Sequence, residues 1–218
     1  LERVMVRKTK DEETEAVAAA VPEPAGNGKP ARGRRAARAV AEPPALDDAL
    51  TEKLERADAL AEGGAHAEAA EAFAAVAAVR PDSVRALVGL GSALAAQGKY
   101  EAAEKELRRA ERLAPDSAEV HLQLGATLFK RGNYPFAAAT LRRAVELDAE
   151  SALAHLLLGE ALNQTAEPDA ALEALEAVVR IQPENTKAYY AMGIAYDRKG
   201  NFDRAAEMYR LSREATSR

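Results

Sequence analysis

The sequence predicts an all-helical solenoid, a stack of helix pairs repeated five times. Gly91, Gly125, Gly159 and Gly193 stand at a constant step of 34 residues, the mark of one supersecondary unit repeated in register. Apolar residues around each glycine recur at i, i+3 and i+7, one face of a helix. Composition agrees: aromatics make up only 5% of the 218 residues, alanine is abundant, and no alternating β-branched stretch interrupts the pattern.

The elements follow in chain order. Residues 1–45 hold "VPEPAGNGKPARGRRAARAVAEPP", rich in Pro, Gly, Ala and charge without an apolar period. That composition predicts a disordered, partly basic tail, and leaves the solenoid to residues 46–218. The first unit, about 50–83, has Ala57 in the glycine place, a turn at Gly64, Ala69 and Phe73 on its second helix, and a stop at Pro81. Lys53 and Arg56 stand where later units are apolar, which suits a polar end cap. The second unit, about 84–117, starts from an N-cap at Ser83. It carries Leu87, Leu90, Gly91 and Leu94, turns at Gly98, places Ala103 and Leu107, and ends at Pro115.

In the third unit, about 118–151, Ser117 caps His121, Leu124, Gly125 and Leu128; Gly132 turns the chain into Ala137 and Leu141. Ala149 replaces the closing proline, which weakens the stop without moving the register. The fourth unit, about 152–185, follows Ser151 with His155, Leu158, Gly159 and Leu162. Ala166 replaces its turn glycine, so this turn is expected to differ. Pro168 suits a helix's first turn, and Ala171, Leu175 and Pro183 complete the unit. The fifth, about 186–218, follows Asn185 with Tyr189, Met192, Gly193 and Tyr196, turns at Gly200, and adds Ala205 and Tyr209. Ser212 and Ala215 replace larger apolar residues there, so the last helix partly caps itself. Its remaining face is either tolerated or docks a second copy or another protein. Within each unit, the in-helix glycine is expected to meet the small alanine of the second helix (Ala103, Ala137, Ala171, Ala205). The larger Phe73, Leu107, Leu141, Leu175 and Tyr209 then fill space one turn on.

Stretches such as "VHLQLGATLFKRGNYPFAAATLRRAVELDAES" and "AYYAMGIAYDRKGNFDRAAEMYRLS" resemble the tetratricopeptide repeat family, from near Leu50 to the end of the chain. The resemblance implies a right-handed α-solenoid of antiparallel helix pairs, spanning less than one superhelical turn. It also implies a concave groove lined by the first helices, at the second, fifth, ninth, twelfth and thirteenth places of each unit. The groove candidates are then Val88, Leu122, Phe129, Lys130, Leu156, Glu160, Asn163, Tyr190, Ile194, Asp197 and Arg198, with Phe129, Leu156, Tyr190 and Ile194 as apolar anchors. Members that grip acidic chaperone C-termini pair Lys at the fifth place with Asn at the ninth. No unit here does, so recognition of such peptides is not expected.

Other chemistry has little support. The chain has no cysteine, hence no disulfide framework or thiolate metal site. His121 and His155 occupy one place in adjacent units. They read as bulky packing residues rather than a metal or acid–base pair, and no zinc-hydrolase Glu motif accompanies them. Glu104 with Arg108 and Glu106 with Arg109 read as surface pairs. Residues 1–44 carry nine Lys/Arg and seven Asp/Glu, while the rest balances to −7. An acidic repeat body argues against wrapping nucleic acid. Val17–Val21 is too short for a membrane span, and no signal-peptide pattern is present. The expectation is a cytoplasmic, non-catalytic protein-interaction scaffold without cofactor, binding a helix or extended peptide in the groove. Two alternatives stand beside it. One is an adaptor whose Lys29–Arg38 segment contacts nucleic acid or an anionic membrane. The other, left open because the chain starts at Leu1, is the repeat module of a longer enzyme.

Overall fold

Four of the helix starts follow from one side-chain habit. Ser83, Ser117, Ser151 and Asn185 hold extended backbone angles, and each side-chain oxygen accepts the amide three residues on, at 3.3, 3.4, 3.4 and 3.0 Å. Each cap satisfies one of the orphan N–H groups of a helix start. In the computed structural model, which describes residues 48–216, these caps open the first helices of units two to five. The helices are α1 (Asp48–Glu62), α2 (His66–Val79), α3 (Val84–Ala96), α4 (Tyr100–Leu113), α5 (Ala118–Lys130), α6 (Tyr134–Leu147), α7 (Ala152–Gln164), α8 (Pro168–Ile181), α9 (Thr186–Arg198) and α10 (Phe202–Thr216). The predicted tail, with Lys29–Arg38, lies outside the described residues.

Between paired helices the chain turns through a left-handed residue. Gly64, Gly98, Gly132 and Gly200 have φ of 78, 76, 86 and 72°, a region glycine enters without steric cost. The fourth turn does not depart as expected. Ala166 takes the same conformation with φ 60°, so the array keeps its geometry and accepts the strain of a Cβ there. Where Ala149 replaces proline, α6 still stops at Leu147.

The in-helix glycines are contact points, first of all for a large residue of the second helix. A Cβ at Gly91, Gly125 or Gly159 would lie 2.5, 2.6 or 2.5 Å from Cγ of Leu107, Leu141 or Leu175, and at Gly193 it would strike the Tyr209 ring. The glycine is therefore a recess for the large residue of the second helix, and at Gly159 the Ala171 carbonyl also comes within 3.3 Å of that Cβ position.

Successive units stack asymmetrically. The first helices approach one another across units (α1 to α3, α3 to α5, α5 to α7, α7 to α9), whereas no second helix comes within 8 Å Cα–Cα of the next second helix. First helices thus form the closely spaced inner layer of this unit of the chain, and second helices the outer one. Polar ties repeat at the same step. Gln97 donates to the His66 carbonyl at 2.8 Å, Arg131 pairs with Glu101 and Glu104, and Lys199 pairs with Asp169. Each joins the end of a first helix to the start of the preceding second helix. In the fourth unit Thr165 turns back to its own Glu167 instead, and Arg142 reaches that carboxylate at 3.3 Å.

The same periodicity explains the histidines. His121 Nε2 lies 2.7 Å from the Pro115 carbonyl, His155 Nε2 3.1 Å from the Ala149 carbonyl, and Tyr189 donates its hydroxyl to the Pro183 carbonyl at 2.9 Å. All three side chains hold the carbonyl six residues upstream, satisfying a loop acceptor beside the core. Both imidazoles are buried, so this slot is a structural tie between units.

Candidate functional site

The predicted groove residues all lie on first helices, the inner layer, but the structure sorts them into different environments. Val88, Leu156 and Asn163 are buried; Leu122, Phe129, Glu160 and Ile194 are half-buried; Lys130, Tyr190, Asp197 and Arg198 are exposed. The fifth-place residues line crevices between units. Val88 lines a hollow of 440 Å³, Leu122 one of 160 Å³ closed by Ala144 and Ala154, and Leu156 one of 630 Å³ against residues 182–187.

Three candidates are engaged within the fold. Asn163 is 3% exposed and donates its Nδ2 to the Ala191 carbonyl of the next first helix at 2.9 Å. It ties α7 to α9. Phe129 stacks edge-on against Tyr134, ring centroids 5.4 Å apart, which joins α5 to α6. Asp197 accepts the Tyr209 hydroxyl at 2.7 Å. Burial, then that bond, pushes the Tyr209 phenol up to about 12, since the phenolate would lose its solvent and face a carboxylate.

The first helices leave both apolar and charged side chains open. Tyr190 is 57% exposed beside the Tyr209 ring, and Leu153 on α7 is 53% exposed. Leu153 is not among the sequence-chosen anchors. Its second-place register was visible, but only the stacking shows that nothing covers it. At the opening end of the array, Arg85 on α3 pairs with Asp58 on α1, while Glu62 and Glu119 form no ion pair among the described residues. Lys130, at the end of α5, and Arg198, at the end of α9, likewise form no ion pair among the described residues. The surface pairs Glu104–Arg108 and Glu106–Arg109 are present as expected.

Glu160 and Lys187 sit across the α7–α9 step, at the same places as Asp58 and Arg85. Burial raises the Glu160 carboxyl above its ordinary value, and Lys187 pulls it partly back. A raised carboxyl binds its proton more tightly in the folded chain than in the unfolded one. It therefore weakens the fold as pH climbs from the ordinary carboxyl value through the raised one, and imposes no such penalty below both. Glu160→Gln is expected to raise the melting temperature at neutral pH by about 1–3 °C, with the gain vanishing in acid. Thermal melts at the two pH values check this; an equal gain in acid places the cause elsewhere.

Among the described residues no cluster of three His, Asp or Glu could hold a metal ion, and no helix is long and apolar enough to cross a membrane. Comparison with known proteins agrees with this geometry. The tetratricopeptide repeat family profile matches residues 54–118 and 122–186, and a second tetratricopeptide repeat profile matches 164–216. The crystal structure of MamA protein superposes with a TM-score of 0.69 at 28% identity, over 79% of this chain and 94% of that one. MamA 41-end from Desulfovibrio magneticus RS-1 gives 0.72 at 25% identity, over 79% and 98%. YrrB, described as a TPR protein with an unusual peptide-binding site, shares the fold with a TM-score of 0.65 at 24% identity, over 75% and 84%. No curated protein sequence matches the chain.

Proposed function

Because the chain belongs to the tetratricopeptide repeat family, whose arrays are protein-interaction scaffolds and generally non-catalytic, we propose that it binds a helix or extended peptide segment of a partner protein along its inner layer. One observation carries the reading. Leu153, Tyr190 and the half-buried Leu122 and Ile194 lie on three consecutive first helices. Large apolar side chains left open in a row are what a partner's own apolar residues bury against. The row does little for the fold itself: Leu153 and Tyr190 remain exposed after the units have stacked.

Affinity capture from the native cell with mass spectrometry identifies the partner. Leu153→Ala with Tyr190→Ala then tests the face, since both side chains are more than half exposed; an unchanged thermal melt is the control for the Tyr190 contact with Tyr209. The double variant is expected to weaken binding of the captured partner by about thirtyfold, the equivalent of one interface hot spot of 2 kcal/mol. A partner that binds the variant as tightly as the parent chain docks on some other surface. Phe129 is the poorer choice for this test, because it is half-buried against the core as well as in contact with Tyr134.

A further inference from the structure

The hollow beside Val88 differs in kind from the rest of the inner layer. Its floor is apolar, formed by Phe73, Val88 and Gly89, and its rim carries Asp58, Glu62, Arg85 and Glu119. The floor exists because residue 89 is glycine: a Cβ there would lie 2.5 Å from Phe73 Cε1 and Cζ. The equivalent places in the next three units hold Gln123, Leu157 and Ala191, and the residues equivalent to Phe73 there are Leu107, Leu141 and Leu175. An aromatic floor under a missing side chain is thus a property of this one joint. On the rim, Arg85 and Asp58 neutralise each other, which leaves Glu62 and Glu119 as two carboxylates without a cation among the described residues.

We propose that this hollow receives a basic side chain, arginine or lysine, of the bound peptide. Its aliphatic stem lies over Ala61, Gly89 and the edge of Val88, as long cationic side chains commonly cover apolar surface, and its charge sits between Glu62 and Glu119. A volume of 440 Å³ accommodates such a side chain, and an acidic one would meet two uncompensated carboxylates. The charge at this joint thus favours a basic residue of the ligand beside α1–α3. The assignment rests on the reading of the inner layer as a peptide-binding face, but its test does not use the partner.

The probe is the blocked tripeptide alanyl-arginyl-alanine amide, titrated into the full chain and followed by amide resonances. Saturable shifts are expected at Gly89 and Ser92. The citrulline analogue, equal in shape but uncharged, should bind more weakly. Glu62→Gln with Glu119→Gln should weaken the arginine probe by about fivefold, the upper range for exposed charge pairs. Asp203→Asn with Glu207→Gln, on α10, should leave it unchanged. Equal binding of arginine and citrulline probes, no saturable shift at Gly89 and Ser92, or equal weakening by both carboxylate pairs each overturns the proposal. Loss of partner binding in the Leu153/Tyr190 variant is independent of all three results, so the two readings fail separately.

Discussion

Gly125→Ala is expected to destabilise the array by about 1–3 kcal/mol, the usual range for overpacking, although alanine favours a helix over glycine by about 1 kcal/mol. The new Cβ would lie 2.6 Å from Leu141 Cγ and 2.8 Å from Cδ2. Cγ is the branch point of a fully buried side chain, so no movement of a free end clears it, and α5 must shift from α6. The position lies in the middle unit, whose neighbours on both sides depend on its shape. Leu141→Ala alone should cost about 2–5 kcal/mol by opening a cavity. The double variant is the diagnostic: the added methyl occupies space the leucine vacated, so the pair should cost less than the sum, with a coupling of about 0.5–3 kcal/mol. Urea unfolding of the four proteins, followed by helical circular dichroism, measures it. Additivity would mean that the glycine and the leucine do not share that space.

Phe73→Ala is expected to remove about 3–5 kcal/mol, but locally. Phe73 is 1% exposed and serves two units at once, filling its own pair and reaching under Gly89 of the next. In a linear array each unit rests only on its neighbours, so loss at an end frays that end first. Hydrogen exchange should show α1 and α2 amides losing most of their protection while those of α5 to α8 hold theirs. Uniform loss along all helices would mean that the array unfolds as a single cooperative block, contrary to the nearest-neighbour stacking seen here.

Most of the helix architecture was legible because the signals recur. A serine or asparagine cap, a recess glycine and a left-handed turn glycine, each at a step of 34 residues, reinforce one another. The departures are instructive. Ala166 was expected to alter its turn, yet holds φ at 60°, because packing on both sides of α7 and α8 outweighs a local preference. The glycine recess was read as meeting alanine; its nearest neighbours are the Leu or Tyr one turn on, with the Ala171 carbonyl beside Leu175 at Gly159, since long side chains on a helix reach over the adjacent turn. The two histidines read correctly as packing residues, but their hydrogen bonds to upstream carbonyls depend on loop positions that periodicity does not describe.

The candidate site was less legible. Register identified the inner-layer places, but not that Asn163 is spent on Ala191, Phe129 on Tyr134 and Asp197 on Tyr209. Nor did it show that Leu153 stays open, or that Glu62 and Glu119 lack partners while Asp58 has one. The repeated unit, its two helices and the register are written in the residue pattern alone, because they rest on contacts within a unit that recur with every copy. Which first-helix groups remain available emerges only on stacking. That depends on pairs from different units, such as Asp58 with Arg85 and Phe73 with Gly89, whose residues differ from joint to joint and meet only when the units are stacked.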